Sequence, residues 1–430
     1  MTTQIDQIRM VPEIASRLFL GAETVRENGS YIVRLDGREY TIDPDTYNYA
    51  EGVTRALKVR DRRVEYASDV LDLRHDAEDI FLEELFVDKD SLKILFVPAG
   101  EGASSFYRSR LPADLISKSG RSVLSHHTER LDINKALRYD VLWVQLAAVP
   151  ILLQIVEQVK KAGVKIIYDI DDRWDKIPIW NAASQFYHEE QVKNVDRMIQ
   201  MADLVTVSTE PLREHVLSKG AKRALTLFNS IPSHFYPTHA MPRQDIFRIL
   251  WAGSPNHKMD LEVAAPGLRE VLKEGNGKVR FTCFGENVPD ALEDVQDFVD
   301  TIRFVDFANY PEALGDVGAN LAIAPLEESL FNASKSAIKF LEYSICGYPS
   351  LYSPVGEYQY LKDIGAPIRL VTDGGWGSAL REAIKDREGV KEWAKESQDW
   401  VKSNRCIAST HAQEYYDAAL SVVEKGEKKE

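Results

Sequence analysis

From about Leu92 to about Val371, short runs of apolar and β-branched residues alternate with helical stretches, and this rhythm constrains the fold more than any other property of the chain. The first series has runs at Ile94 to Val97, Val141 to Val144, Val164 to Tyr168, Leu204 to Val207 and Leu225 to Phe228, separated by stretches such as Ile151 to Lys161. The second has runs at Arg248 to Ala252, Val279 to Phe284, Ile302 to Val305, Leu321 to Ala324, Ser350 to Tyr352 and Ile368 to Val371. Runs without polar alternation read as strands buried on both faces, which parallel sheets covered by helices provide. Between the series, Pro232 to Pro242 is rich in Pro and His and lacks periodicity, so it reads as a linker.

The expected organisation is therefore an N-terminal α+β extension over 1–89, one α/β domain over 90–235, a second over 245–385, and C-terminal helices over 386–430. In the extension, Tyr31 to Ile42 resembles a hairpin around Asp36-Gly37, a pair that tolerates positive φ, and Asp45 to Leu57 reads as helix. Arg55, Lys58, Arg60, Arg62 and Arg63 then form a basic cluster that the acids from Asp69 to Asp90 answer.

Composition narrows the function. A formal charge of -14 over 430 residues argues against broad binding to nucleic acid or anionic membrane. Cys283, Cys346 and Cys406 are too few and scattered for a disulfide framework and have no metal-type spacing, which fits a reducing cytoplasm. Met1 to Asp6 is polar and Ile8 to Leu20 is interrupted by charge, unlike a signal peptide. The longest apolar run, Val141 to Val156, contains Gln145, Pro150 and Gln154, so no integral membrane segment is expected.

The stretch F-N-A-S-K-S-A-I-K-F-L-E-Y-S-I-C-G-Y-P, Phe331 to Pro349, carries the most chemistry. Read as a helix, it puts Lys335, Lys339 and Glu342 on one stripe and Ile338, Leu341 and Ile345 on the opposite face. Asn332 and Ser334, with Ser336 beside them, stand where a helix would be capped, so free N–H groups would point where the lysines point. A phosphate fits there, with the carboxylate free for sugar hydroxyls; an amphipathic helix with a solvated charged face is the plainer alternative. A second such place is Ile249 to Asp260, where a strand ends at Gly253, Ser254 reads as an N-cap, Pro255 suits the first helical position and the helix runs through Val271. His257 and Lys258 oppose the dipole of a bare helix, a conflict that a bound anion would remove. A pyrophosphate is the common ligand of both places. Neither G-x-G-x-x-G after a first strand nor a P-loop lysine motif occurs, which weighs against nicotinamide cofactors and ATP hydrolysis.

The first series offers an acceptor side. Pro98 to Arg110 contains Gly100 and Gly102, then Tyr107, Arg108 and Arg110 at a helix start. Asp169, Asp171 and Asp172 end a strand, where they could bind a metal, orient or deprotonate a hydroxyl, or cap the next helix; without further ligand residues nearby, acceptor binding is preferred. His126 and His127 are read as following the strand at Val123 and Leu124, and Gln145 holds a comparable strand end. Phe307 and Tyr310 could pack against a nucleotide base or simply against the core.

These segments resemble the GT-B glycosyltransferases. Ser334 to Pro349 is similar to the donor-binding helix of their large retaining family, with Glu342, Cys346-Gly347 and Pro349 matching a recurrent carboxylate, small residue, Gly, x, Pro pattern. Ile249 to Asp260 is similar to the other phosphate-facing segment, and D-I-D-D with F-Y-R-S-R resembles members from bacterial surface-glycan clusters and bacteriophages. The resemblance implies two Rossmann-like domains facing across a cleft, and sugar transfer, with retention and without a metal, from a UDP- or GDP-sugar to an acceptor hydroxyl. It implies no further cofactor, and either a glycan or a phage-type hydroxymethylated DNA base as acceptor. Glu342 would hold donor hydroxyls, and Lys258, Lys335 and Lys339 would neutralise the leaving diphosphate. The chain departs from the family at Ser334, where the first of its usual two glutamates would touch the transferred sugar. The rivals are a metal-dependent GT-A transferase using Asp169 and Asp171, and a catalytically silent nucleotide or glycan binder. Nothing in the sequence speaks to oligomeric state.

Overall fold

The computed structural model describes residues 92–423, except 101, 118, 120–122, 129–130, 132, 147, 239–244 and 286–289, together with three strands nearer the N-terminus. Those strands, β1 (Glu23–Glu27), β2 (Ser30–Leu35) and β3 (Arg38–Ile42), form an antiparallel sheet. Leu35 pairs with Arg38, so the hairpin closes around positions 36–37 as expected. The expected helix at 45–57, the basic cluster and the acidic run lie outside the described residues.

Two six-stranded parallel sheets follow. The first contains β4 (Leu92–Val97), β5 (Val123–His127), β6 (Val141–Gln145), β7 (Lys165–Ile170), β8 (Leu204–Val207) and β9 (Ala224–Thr226), in the order β5-β4-β6-β7-β8-β9. The second contains β10 (Phe247–Ala252), β11 (Val279–Phe284), β12 (Val299–Ile302), β13 (Leu321–Ala324), β14 (Ser350–Tyr352) and β15 (Arg369–Leu370), in the order β12-β11-β10-β13-β14-β15. Central strands such as β6, β8 and β13 are buried along their whole length, which explains their uninterrupted apolar sequence. In each sheet the order reverses once, at β4/β6 and at β10/β13, and a crevice opens beyond the carboxyl ends of the strands there. β10 and β13 pair only through Ile249–Leu321 and Leu250–Ala322, so they part early and widen the second crevice.

The structure corrects four readings. His126 and His127 belong to β5 and do not follow it; this outermost strand tolerates polar residues that a central strand would exclude. The strand expected at 302–305 lies at Val299–Ile302. The helix expected through Val271 is broken into Lys258–Glu262 and Ala265–Gly275, because Pro266 in the first turn of the second helix has no N–H to continue the first. The donor-side helix starts at Ile338, so neither Asn332 nor Ser334 caps it, and Lys335 is extended and shares no helical stripe with Lys339 and Glu342.

The last helix, Ala408–Val423, packs back on the first domain, where Tyr415 stacks on Trp143 at 5.1 Å and Trp143 on Phe96 at 4.9 Å. Inside that domain Arg108, in a π turn at Phe106–Arg110, is completely buried against Asp169. Its Nε and Nη2 donate to the two carboxylate oxygens at 3.0 and 2.6 Å, and Nη1 donates to the Leu227 carbonyl and to Asn229. Thr206 also donates to Asp169, at 2.7 Å. Both residues were expected on the acceptor side, yet all their bonding is internal. Arg108→Met, which strands a buried carboxylate, should lower the unfolding free energy by about 3–5 kcal/mol in urea titrations, and adding Asp169→Asn should recover part of that loss.

Candidate functional site

At the β10/β13 switch point the segments after the two strands meet. Gly253 ends β10 with no room for a side chain, since a Cβ there would come within 2.6 Å of the Trp251 ring. Ser254 and Pro255 lead through a 3-10 turn, Pro255–His257, into the five-residue helix that begins at Lys258. His257 Nδ1 lies 2.8 Å from Asp260 Oδ2, and because a carboxylate only accepts, Nδ1 carries the proton. The other oxygen of Asp260 accepts from Asn332 Nδ2 at 2.6 Å and from the Glu327 N–H at 3.0 Å. Asp260 thereby clamps the 327–332 segment to the first turn after β10. Burial and then the nearby Lys335 hold the His257 pKa below its usual value, opposed by Asp260.

Lys335 and Lys339 stand beside this clamp. Lys335 lies over the Phe331 ring at 4.5 Å, and its Nζ is 3.5 Å from Asp172 of the other domain. Lys339 Nζ donates to Tyr310 Oη and to Glu342 Oε2, both at 2.8 Å. The positive charges of Lys335 and Lys339 also work against protonation of His257, so the two lysines supply the cationic charge on this wall. Glu342, by contrast, is 2 % exposed. Its Oε2 also accepts from Tyr310 at 3.2 Å, and its Oε1 accepts from Tyr236 at 3.1 Å and from Tyr107 at 3.4 Å. Burial first, and then the Glu342 charge, push these three phenols well above 10, so they remain protonated donors.

The 334–337 turn is held from outside. Ser334 is buried, with its hydroxyl turned back to the Leu330 carbonyl while its own carbonyl accepts from Thr209 across the domain junction. Ser336 accepts from Asn229, also of the first domain, at 3.0 Å. The Ala337 N–H, at the helix start, donates to Glu357 Oε2 at 2.6 Å, and Glu357 in turn pairs with Arg405. An internal carboxylate thus takes a helix-start N–H that the sequence reading left for a phosphate.

The facing wall comes from the first domain. Gln145, buried at the end of β6, accepts from the Ala99 N–H and from Ser109 and donates to Ser104, which fixes the loop after β4; Gly102 in that loop is exposed. Asp171 lies just beyond β7, hydrogen-bonded to Ser104, and burial followed by repulsion from Asp172 and Asp169 pushes its pKa up to about 6. The side chains of His126 and Lys258 lie outside the described residues. Phe307 packs among Phe106, Tyr107 and Phe235, so it serves the domain joint in place of a base. No group of three or more His, Cys, Asp or Glu positioned for a metal occurs among the described residues.

No family model and no curated protein matches the sequence. Solved structures do. Sucrose-phosphate synthase from Thermosynechococcus elongatus superimposes with a TM-score of 0.56 at 12% identity, over 77% of this chain and 100% of that one. HepE of Anabaena, solved with UDP-glucose, gives 0.54 at 13% identity over the same shares. WaaG, a glycosyltransferase involved in lipopolysaccharide biosynthesis, gives 0.52 at 10% identity over 76% of this chain and 99% of its own. The chain has the GT-B fold. Its two Rossmann-like domains and the cleft between them are therefore as expected.

Sequence reasoning missed Tyr236, Thr209, Asn229 and Glu357. An aromatic pair, Phe235-Tyr236, inside a Pro- and His-rich linker was a usable signal, whereas the other three act over sequence distances that no local pattern reveals. The raised Asp171 pKa gives a stability test. Between pH 3.8 and about 6 the folded GT-B chain binds more protons at Asp171 than the unfolded chain, so this residue's contribution falls as pH rises through that window. Asp171→Asn should therefore melt above the wild type at pH 7, and the gain should vanish near pH 4.

Proposed function

We propose that this GT-B protein is a glycosyltransferase that moves a sugar from a nucleoside diphosphate sugar to an acceptor hydroxyl. The observation that carries this reading is the placement of Lys335 and Lys339 on the β10/β13 side of the junction, with Lys335 only 3.5 Å from Asp172 of the opposite domain. As the bond to the diphosphate breaks, negative charge grows on its oxygens, and the two lysine cations already in place stabilise it without reorganisation. They supply positive charge that a metal would otherwise provide, so transfer should survive EDTA. Asp171, with a pKa near 6, suits a group that orients the acceptor hydroxyl and takes its proton near neutral pH. Glu342 would take donor hydroxyls once its phenol partners withdraw.

UDP- and GDP-sugars both fit this chemistry, and a cytoplasmic site would give access to them. A glycan acceptor is preferred to modified DNA, because the charge of -14 works against approach of a polyanion. Retention is the outcome implied by the resemblance. The uncharged Ser334 favours one second reading, a silent nucleotide or glycan binder.

Release of nucleoside diphosphate from a panel of UDP- and GDP-sugars with glycan acceptors tests turnover, and its absence with every pair favours the silent binder. Lys335→Ala and Lys339→Ala should each weaken UDP binding by about tenfold or more in calorimetry, the loss of a charged contact. Asp171→Asn should lower kcat by about 10²–10⁴ and remove the rate limb near pH 6. The anomeric configuration of the product by NMR decides retention, and an inverted product would assign the proton transfer to Asp171.

A further inference from the structure

The partners of Glu342 come from separate parts of the chain. Lys339 and Tyr310, which hold Oε2, belong to the donor-side domain. Tyr107 comes from the π turn of the acceptor-side domain and Tyr236 from the linker; their hydroxyls are 2.6 Å apart and both reach Oε1. Two hydroxyls in contact with each other and with one carboxylate oxygen are the arrangement that a vicinal diol presents. Tyr107, Tyr236 and Glu342 are each 2 % exposed, so with the phenols in place the carboxylate is shut off from any hydroxyl arriving through the cleft.

We propose that the Tyr107–Tyr236 hydroxyl pair is an internal stand-in for the vicinal diol of the donor, sealing Glu342 in this arrangement of the domains and giving way when the donor's ring hydroxyls arrive. The inference rests on the donor role of Glu342 stated above. Exchange is feasible because it replaces one mutually bonded pair of hydroxyls, with a proton left over for the carboxylate, by another such pair and never leaves the buried carboxylate bare. It is also coupled to domain movement. Tyr107 cannot be displaced as an isolated loop residue, because the next residue, Arg108, is anchored by Asp169, Leu227 and Asn229 inside the acceptor-side domain. The surrounding joint is built of packed rings, with Phe106 stacked on Phe235 at 5.0 Å, Phe106 tilted against Phe307 at 5.2 Å and Tyr107 edge-on to Phe307 at 5.7 Å. Such contacts have no directional bonds to break, so the domains can slide apart there at smaller cost than at a hydrogen-bonded seam. In this scheme the contacts that hold the junction shut are those that the donor must replace.

The test uses the full chain with Tyr107→Phe, Tyr236→Phe and the double substitution, each checked for native circular dichroism. Binding of UDP, or of GDP where UDP does not bind, is measured by calorimetry, and the radius of gyration of the empty protein by small-angle scattering. Removing both hydroxyls raises the free energy of the sealed state alone, so the double variant should bind UDP about five- to tenfold more tightly and show a larger radius when empty. Tyr310→Phe, which removes a donor-side hydroxyl, should not tighten binding. Wild-type binding that the double substitution leaves unchanged or weakens would overturn the stand-in while leaving the donor site intact. Failure of the wild type and every variant to bind either nucleotide would overturn the donor role of Glu342 and the inference with it.

Discussion

Burial of the Glu342 carboxylate is the interaction on which the junction depends. A charged group shielded from water is tolerable only when donors occupy its oxygens. Here its oxygens are surrounded by one ammonium and three phenols, two of them bonded to each other, drawn from the second domain, the linker and the first domain. The solvation requirement of a single side chain therefore brings three segments together. The aromatic joint of Phe106, Phe235 and Phe307 follows, since ordering the three phenols around the carboxylate leaves apolar rings that bury best against one another.

The same logic explains how charge is divided between the two crevices. Each sheet reverses its strand order once, and each reversal collects loops at the carboxyl ends of strands. In the second domain such a loop delivers Lys335, and the helix that follows it delivers Lys339. In the first, the loops deliver Asp171 and Asp172, organised by Gln145 through Ser104. A cationic wall thus faces an acidic one, and the Lys335–Asp172 contact is the place where they touch. Side-chain exposures of 15% for Lys335 and 42% for Asp172 put that contact at a partly wet position, so its worth lies in orientation more than in stability.

Much of the fold was legible because parallel strands buried on both faces must be apolar without interruption. β13 and β14 begin and end where the apolar runs do, and β4, β6 and β8 differ by two residues at most. The misplaced start of the helix at Ile338 has a tertiary cause, unlike the local break at Pro266. Ser334 to Ala337 has helical sequence, but the Ser334 carbonyl is taken by Thr209 and the Ala337 N–H by Glu357, so tertiary partners decide where the helix begins. The pairing of Arg108 with Asp169 was hidden in the same way, since each residue alone looks like a cleft residue and only their 61-residue separation in sequence, closed by the sheet, makes them partners. At the candidate site, Lys339 and Glu342 were readable as neighbours from their spacing, whereas the sealing of Glu342 required knowledge of the linker's path.

Ser334 shows how one missing charge redistributes the others. A carboxylate at that position would sit directly beside Lys335 and compete for it. With a serine there, whose hydroxyl folds back on Leu330, Lys335 has no acidic neighbour on its own segment and reaches across the junction to Asp172. The lysine then ties the two walls together, as one cation of the second domain set against an acid of the first. A glutamate at position 334 would offer Lys335 a carboxylate within its own segment, so the contact across the junction depends on a neutral residue standing there.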